Sequence, residues 1–241
     1  GMDAFSNCVK ITSITFPKSL ETMHTYAFKG CMAVEGFYGN EKFHTSDNKC
    51  LISLTNIGIC ICGFAGKNIT EYTIPEGIVG IENYAFYNAI NLRKLNFPNS
   101  IKRIGSHAFE GATNIETITG ENVLEDNRSL VVDSTLIMMA GGGLEKYITP
   151  KEVKYLSESV LGFNNDIKEY VISDNVIEVG DFGYMFNQCP NLETVTISAN
   201  MEYLGYDPFG SEEWNTPKIK TVYCRAMIPP IVKLPVSPMN T

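Results

Sequence analysis

Residues 68–89 read NITEYTIPEGIVGIENYAFYNA, and residues 91–112 repeat the pattern as NLRKLNFPNSIKRIGSHAFEGA. The matching anchors are a proline, several apolar residues and an Ala-Phe pair, and each anchor recurs after 23 positions: Ile74 and Phe97, Pro75 and Pro98, Ile78 and Ile101, Ile81 and Ile104, Phe86 and Phe109. A fixed period with apolar anchors at fixed offsets is typical of a solenoid, in which each unit buries its apolar side against its neighbours.

The same pattern extends towards both ends of the chain. Ala4-Phe5 precedes Ala27-Phe28 by 23 positions, so the sequence starts part-way through a repeat. Later repeats follow Pro150, Ser173 and Ser198, and the repeat after Ser173 carries an insertion of about two residues before Phe186. We therefore expect about eight rungs.

Within each repeat, the residues before the proline alternate between apolar and polar, as in Glu71-Tyr72-Thr73-Ile74. Such alternation, rich in Thr, Val, Ile and Tyr, favours a short strand that the proline ends. A second short extended stretch, 78–81, and a turn at the Ala-Phe pair would return the chain to the next rung. The predicted fold is a β-rich repeat solenoid with short strands and little helix.

Two segments, near 36–66 and 120–143, interrupt the period and resemble each other. Each contains an Asp-Asn pair, Asp47-Asn48 or Asp126-Asn127, followed by apolar strand sequence. We interpret both as hairpin-like insertions with a polar Asp-Asn turn. Neither aspartate lies in a run of alternating acidic residues, which argues against a calcium loop. The predicted organisation is one repeat array over 1–230 and a C-terminal tail or cap over 231–241.

Composition limits the classes of partner. The formal net charge is −8, and both nucleic acid and anionic membranes select for basic patches instead. No apolar run is long enough to span a membrane, and no signal-peptide pattern opens the sequence. We expect no nucleic-acid partner and no membrane insertion, and the sequence predicts no oligomeric state.

The segments ITFPKSLETMHTYAFKGC, YTIPEGIVGIENYAF and LNFPNSIKRIGSHAF resemble the BspA-like bacterial leucine-rich repeats. The resemblance covers nearly the whole chain, although the asparagine of the standard leucine-rich repeat is replaced by the proline region. It implies a right-handed leucine-rich-repeat solenoid with a period of about 23 residues. It also implies a surface-exposed or secreted protein that binds host, matrix or other cell-surface molecules. Cell-surface localisation is therefore an implication of the resemblance alone.

One set of strand positions points away from the predicted core and would stack along the concave face, where solenoids generally bind. The predicted ligand-binding residues are Thr15, Thr73, Asn96, Thr119, Thr196 and Tyr223, with Glu71 and Lys94 beside them. Two interpretations stay open, because threonine is also a favourable residue for an exposed strand.

Seven cysteines are present. Cys8, Cys31 and Cys189 occupy the repeat position that Ala89 and Ala112 fill elsewhere, which predicts small buried residues in the reduced state. A disulfide between Cys8 and Cys31 on neighbouring rungs is allowed but not required. No cysteine spacing typical of zinc is present, so we expect no metal and no cofactor.

His24, His44 and His107 are scattered, and no nucleophile motif accompanies them. Glu169 and Glu193 fall on neighbouring predicted strands and could form the carboxylate pair of a glycosidase, although a solvated charged ladder is the simpler interpretation. Together with the resemblance, which implies adhesion, these observations predict a non-catalytic module that binds a protein or glycan. The alternatives are a spacer segment of a longer surface protein or, less favoured, a carbohydrate-active enzyme.

Overall fold

The computed structural model describes residues 3–157, 160, 164–180, 186, 189–205, 209 and 218–232. The described residues contain short strands, one 3-10 helix over Glu41–Phe43 and no α-helix. The chain forms two compact units, Gly1–Arg128 and Ser129–Thr241. Among the described residues, no helix has the length and apolar character needed to cross a membrane.

The first unit contains nine strands in its described residues. They are β1 (Ser13–Phe16), β2 (Gly36–Gly39), β3 (Cys50–Thr55), β4 (Gly58–Phe64), β5 (Glu71–Thr73), β6 (Ile78–Ile81), β7 (Lys94–Asn96), β8 (Arg103–Ile104) and β9 (Thr117–Thr119). Three sheets result, with strand orders β1-β2, β3-β4-β6-β8 and β5-β7-β9. All pairs are parallel except β3 with β4.

The second unit contains ten strands in its described residues. They are β10 (Ser129–Val132), β11 (Thr135–Met139), β12 (Lys146–Ile148), β13 (Tyr155–Leu156), β14 (Glu169–Val171), β15 (Glu178–Val179), β16 (Thr194–Ile197), β17 (Tyr203–Leu204), β18 (Thr221–Cys224) and β19 (Ile231–Val232). They form two sheets, ordered β12-β14-β16-β18 and β10-β11-β13-β15-β17-β19. The repeat array of short parallel strands confirms the predicted solenoid class.

We call the strand before each proline position a first strand and the following strand of the same rung a second strand. The first strands are β1, β2, β5, β7, β9, β12, β14, β16 and β18.

The rung that contains β5 shows the local structure. In β5, Tyr72 is buried between exposed Glu71 and Thr73, as the alternation predicts. After this strand the chain turns, and Ile78 N donates to Pro75 O at 3.4 Å. The turn starts the second strand, which is the other wall of the rung.

Each unit has a core of its own. Most anchors predicted by the repeat are buried, including Ile78, Ile101 and Phe86 in the first unit, whereas Ile104 and Phe109 are half-buried. Phe86 and Phe109 stack with ring centroids 4.9 Å apart. In the second unit Tyr147 and Tyr170 stack at 5.4 Å. Apolar side chains of successive rungs thus pack against one another, which is how a repeat that cannot bury its own apolar side becomes stable.

Both interruptions of the repeat form antiparallel hairpins, β3 with β4 and β10 with β11, which confirms the two predicted insertions. The Asp-Asn pair, however, does not connect the hairpin strands. Asp47 lies before β3, where its carboxylate accepts a 3.0 Å bond from Lys49 N, because an aspartate can close a local turn with the backbone two residues on. In the second hairpin Asp133 and Ser134 form the loop, and both have positive φ, as a type I′ turn requires.

The C-terminal boundary predicted at residue 230 falls within the array. Ile231–Val232 form β19, which pairs with β17. The rest of the predicted tail, 233–241, lies outside the described residues.

The cysteines at the alanine position differ in burial. Cys31 and Cys189 are buried, as predicted, and Cys8 is half-buried. Cys50, Cys60 and Cys62 are also buried, whereas Cys224 is exposed. Burial raises the pKa of the Cys62 thiol to about 12 and that of Cys189 to about 11. These thiols therefore act as small apolar side chains rather than as nucleophiles.

Candidate binding surface on the first strands

In the first unit, three of the predicted binding residues are register partners on neighbouring strands. Thr73 on β5 lies opposite Asn96 on β7, which lies opposite Thr119 on β9. Thr119 Oγ1 donates a 2.8 Å hydrogen bond to Asn96 Oδ1. Thr73 and Thr119 are exposed, and Asn96 is half-buried. We call these three residues the polar column.

A charged column runs beside the polar column. Glu71 and Lys94 are register partners, and their charged groups lie 2.8 Å apart. The hydrogen bond that Lys94 donates to Glu71 is the largest cause that raises the pKa of Lys94. Arg93 and Glu116 form a second pair across the next two strands at 2.6 Å. Both pairs are exposed, so they set the alignment of neighbouring strands more than they stabilise the fold.

The corresponding column in the second unit is mostly apolar. Its register partners are Ile148, Val171, Thr196 and Tyr223 on β12, β14, β16 and β18. The exposed fraction is 55% for Ile148 and 58% for Tyr223, and Val171 and Thr196 are half-buried. We call these four residues the apolar column.

Two members of the apolar column were missed in the sequence prediction. Thr196 and Tyr223 were predicted, whereas Ile148 and Val171 were not. The signal was available, because Ile148 lies two positions before Pro150 and Val171 two positions before Ser173, as Thr73 lies before Pro75. The sequence prediction selected residues with polar groups at that position and therefore did not include Ile148 and Val171.

The structure brings the eight predicted residues together in three groups. Five lie on the β5-β7-β9 sheet, and two lie on the β12-β14-β16-β18 sheet. Thr15 lies on the separate β1-β2 sheet, opposite Tyr38, which is 41% exposed. No described strand pair joins these three sheets.

Glu169 and Glu193, the candidate glycosidase pair, are each held by a lysine. Glu169 accepts from Lys146 Nζ at 2.8 Å, and Glu193 from Lys220 Nζ at 2.9 Å. The register partner of Glu169 is Thr194, so the two glutamates are offset along their strands. The hydrogen bond from Lys220 lowers the pKa of Glu193, whereas a general acid needs a raised pKa. The arrangement is that of a charged ladder.

The candidate metal ligands were also compared with the structure of the described part of the chain. No group of three or more His, Cys, Asp or Glu side chains is close enough to hold a metal ion there. Asp47, considered above for calcium, accepts hydrogen bonds from Lys49 N and from Tyr72 OH at 2.9 Å. The carboxylate of Asp47 is therefore engaged in hydrogen bonds within the protein.

The sequence matches the family model of the BspA-type leucine-rich repeat region, in six copies over residues 1–62, 59–130 and 138–219. The chain belongs to this family. The prediction from the repeat pattern is thereby confirmed.

Solved structures of similar fold are bacterial leucine-rich repeat proteins. The pneumococcal vaccine antigen PcpA is 22% identical, with a TM-score of 0.51 over 90% of this chain and 45% of that one. A leucine-rich cell surface protein of Faecalibacterium prausnitzii is 17% identical, with a TM-score of 0.47 over 89% of this chain and 48% of that one. A leucine-rich repeat protein of Bacteroides ovatus is 20% identical, with a TM-score of 0.46 over 93% of this chain and 63% of that one.

The chain spans less than half of the first two of these structures. At these identities the likeness concerns the fold. A search of curated proteins finds no match.

Proposed function

We propose that this chain is a non-catalytic module that binds a protein partner through the exposed faces of its first strands. The single observation that carries the proposal is the apolar column. Exposed Ile148 and Tyr223 lie in register with partly exposed Val171 on one sheet face. Isolated exposed apolar side chains need no explanation, but an aligned set on one face is typical of a protein-binding surface.

The composition of the face favours a protein over a glycan. Aromatic and aliphatic side chains at its centre can be desolvated by a partner, and the lysine–glutamate pairs beside them supply a polar rim. Tyrosine is among the residues that most often dominate interface energy. The apolar column would therefore supply most of the affinity, and the charged ladder would orient the partner.

The proposed setting is the cell surface or the extracellular space. Support comes from the family and from the printed name of PcpA, which describes that protein as a vaccine antigen. The negative formal charge of −8 agrees with a partner that is neither nucleic acid nor an anionic membrane.

The test is covalent capture from the proposed surface. A photo-crosslinking amino acid is placed at position 223 and, as a control, at position 155. Tyr155 is an exposed tyrosine of the same unit, 37% accessible, but it lies on a second strand. Each protein is incubated with purified extracellular matrix proteins and with intact epithelial cells. The proposal expects a discrete adduct from position 223 that excess unlabelled protein abolishes, and no such adduct from position 155. Equal adducts from both positions would contradict it.

A further inference from the structure

Turns of successive rungs in the first unit are joined by backbone hydrogen bonds at the Ala-Phe pair. Phe86 N donates to Ala108 O at 2.8 Å, and Asn88 N donates to Glu110 O at 2.7 Å. Near the N-terminus, Phe5 N bonds Ala27 O at 2.8 Å in the same way. In both of these turn pairs, the earlier turn donates two N–H groups to two carbonyls of the later turn.

The rung that contains β3 and β4 is too short to make this turn. Ile61 and Ile81 are register partners on β4 and β6. From Ile81 to Leu92, which starts the next rung, the chain advances 11 positions, whereas from Ile61 to Ile69 it advances only 8. The connection after β4 is thus three residues shorter than the connection that contains the turn elsewhere. The turn at 26–31 therefore faces the turn at 84–89 across an interval that one turn would normally occupy.

A cavity of about 160 Å³ lies in this interval, which we call the turn gap. One wall is formed by Phe28, Lys29 and Gly30, and the other by Ala85 and Tyr87. Cys62, Gly63 and Phe64 also line it. Phe64 already supplies the aromatic ring of the missing turn, because it packs on Phe86 with centroids 4.6 Å apart. The core below the turn gap is therefore filled by side chains. Only the backbone of a turn is absent from the gap.

The two walls carry unpaired backbone groups that match each other. Phe28 N and Gly30 N on one wall have no hydrogen-bond acceptor among the described residues. On the other wall, Ala85 O and Tyr87 O receive no donor from the described part of the chain. Each pair is spaced two residues apart, as along an extended peptide. Backbone groups in native proteins are normally paired with protein or with water, so these four groups are free to bond a partner with the same spacing.

We propose that the turn gap binds a short peptide segment of a partner protein, whose backbone takes the place of the missing turn. The segment accepts bonds from Phe28 N and Gly30 N and donates to Ala85 O and Tyr87 O. This is the logic of strand addition, in which main-chain bonds give affinity and neighbouring side chains give selectivity. The site is separate from the first-strand face of the proposed function.

The size of the turn gap restricts the side chains of the segment. A cavity of about 150 Å³ holds a benzene molecule, which has six heavy atoms, and the turn gap encloses about the same volume. That space accommodates a glycine or alanine residue but not a large side chain. The position beside Phe64 must therefore be small.

Lys29 adds a preference for acidic peptides. Its ammonium lies 3.3 Å from the centroid of the Tyr84 ring and 5.5 Å from that of Tyr87. No carboxylate within the described ranges forms an ion pair with Lys29. A carboxylate next to the small residue would pair with this cation at the rim. The expected ligand is a small residue with a neighbouring Asp or Glu.

The probe is the tetrapeptide acetyl-Ala-Gly-Glu-Gly-amide, titrated into the ¹⁵N-labelled protein and followed by NMR. It copies the turn Ala108-Phe109-Glu110-Gly111, with glycine in place of phenylalanine because Phe64 fills the aromatic position. We expect saturable shifts of the amide signals of Phe28, Gly30, Ala85 and Tyr87. Lys29→Gln should weaken binding about tenfold, and the matched exposed lysine variant Lys102→Gln should not.

A second peptide and hydrogen exchange complete the test. In acetyl-Ala-Pro-Glu-Gly-amide the proline lacks the N–H that would donate to Ala85 O, so binding should be lost. In the free protein the amides of Phe28 and Gly30 should exchange faster than those of Asn7 and Asn88, and the first peptide should slow them. Equal affinity for both peptides, no shifts at saturation, or exchange of Phe28 and Gly30 as slow as that of Asn88 would overturn the proposal.

Discussion

Tyr72 on β5 donates a 2.9 Å hydrogen bond from its hydroxyl to Asp47 Oδ2, in the turn that precedes the hairpin β3-β4. The contact links the inserted hairpin to the regular rung that follows it. Cys50 Sγ also donates to the Tyr72 hydroxyl at 3.3 Å. Burial is the largest cause that raises the pKa of Tyr72, so the phenol stays protonated and keeps its donor.

Removal of this hydroxyl should destabilise the first unit. Tyr72→Phe keeps the ring but leaves Asp47 and Cys50 without their shared partner, and we expect a loss of about 1–2 kcal/mol in the free energy of unfolding. The control is Tyr223→Phe, since Tyr223 is exposed. The measurement is urea denaturation followed by circular dichroism. An unchanged midpoint for Tyr72→Phe would show that the link between hairpin and rung contributes nothing.

The aromatic stack of the first unit should carry much of its stability. Phe86 is 1% exposed and lies against both Phe64 and Phe109. Phe86→Ala should cost about 3–5 kcal/mol, the range for a large buried aromatic side chain. Ile90→Ala, at a site that is 55% exposed, is the matched control and should cost far less. If the two variants unfold at the same urea concentration, the repeat core is not where the structure places it.

Thiol reactivity should separate the cysteines by burial. Cys224 is exposed and should react rapidly with a thiol reagent at pH 8 in the native protein. Cys62 and Cys189 should react only after unfolding, because burial raises their pKa to about 12 and about 11. Mass spectrometry of timed alkylation measures each rate. Modification of Cys62 as fast as that of Cys224 would contradict this assignment.

The charged ladder of the second unit should give a small pH dependence of stability. The pKa of Glu193 is lowered in the folded state by its hydrogen bond to Lys220. Its contribution is therefore present above the ordinary glutamate pKa of about 4.3 and is lost as the pH falls through the lowered value. Glu193→Gln should flatten the change of thermal midpoint in this acid range, and added salt should have the same effect on the unsubstituted protein. An unchanged slope for the variant would show that this ion pair is inert.

Much of the fold could be predicted because the repeat fixes where apolar side chains must fall. Phe86 and Phe109 stack as their 23-residue separation implies, and Thr73, Asn96 and Thr119 are register partners as their shared offset implies. Both hairpins were recognised from breaks in the same period. Sequence patterns of this kind predict the structure well because each rung repeats the environment of the previous rung.

What the sequence did not predict depends on contacts between different rungs. The partners of Asp47 include Thr45, Lys49 and, in the next rung, Tyr72. An Asp-Asn pair alone does not suggest the contact with Tyr72. The asparagine ladder was also missed. Asn91 Nδ2 donates to Lys67 O at 2.6 Å, and Asn114 Nδ2 to Ile90 O at 2.7 Å. Asparagines thus bond the preceding rung at the start of some rungs, rather than at the proline.

The candidate site was predicted only in its polar part. The search for binding residues selected hydroxyl and amide side chains, so it found the polar column and missed Ile148 and Val171. In the sequence, an exposed aliphatic residue within a strand pattern is easily assigned to the core. Only the strand register shows which face of the sheet it occupies. The turn gap was missed for a related reason. The interval from Ile61 to Ile69 is visibly short in the sequence, but it indicates a gap only because neighbouring turns are hydrogen-bonded to each other in the structure.

The central claim is that the first-strand face of the second unit binds a protein partner. The most direct measurement is the affinity of the partner captured at position 223 for the double variant Ile148→Glu with Tyr223→Glu. Both positions are exposed, so the thermal midpoint should change little, whereas affinity should fall at least tenfold because carboxylates would be placed in the desolvated centre. The control Tyr155→Glu should bind as the unsubstituted protein does. Full affinity of the double variant, or an equal loss with Tyr155→Glu, would contradict the account.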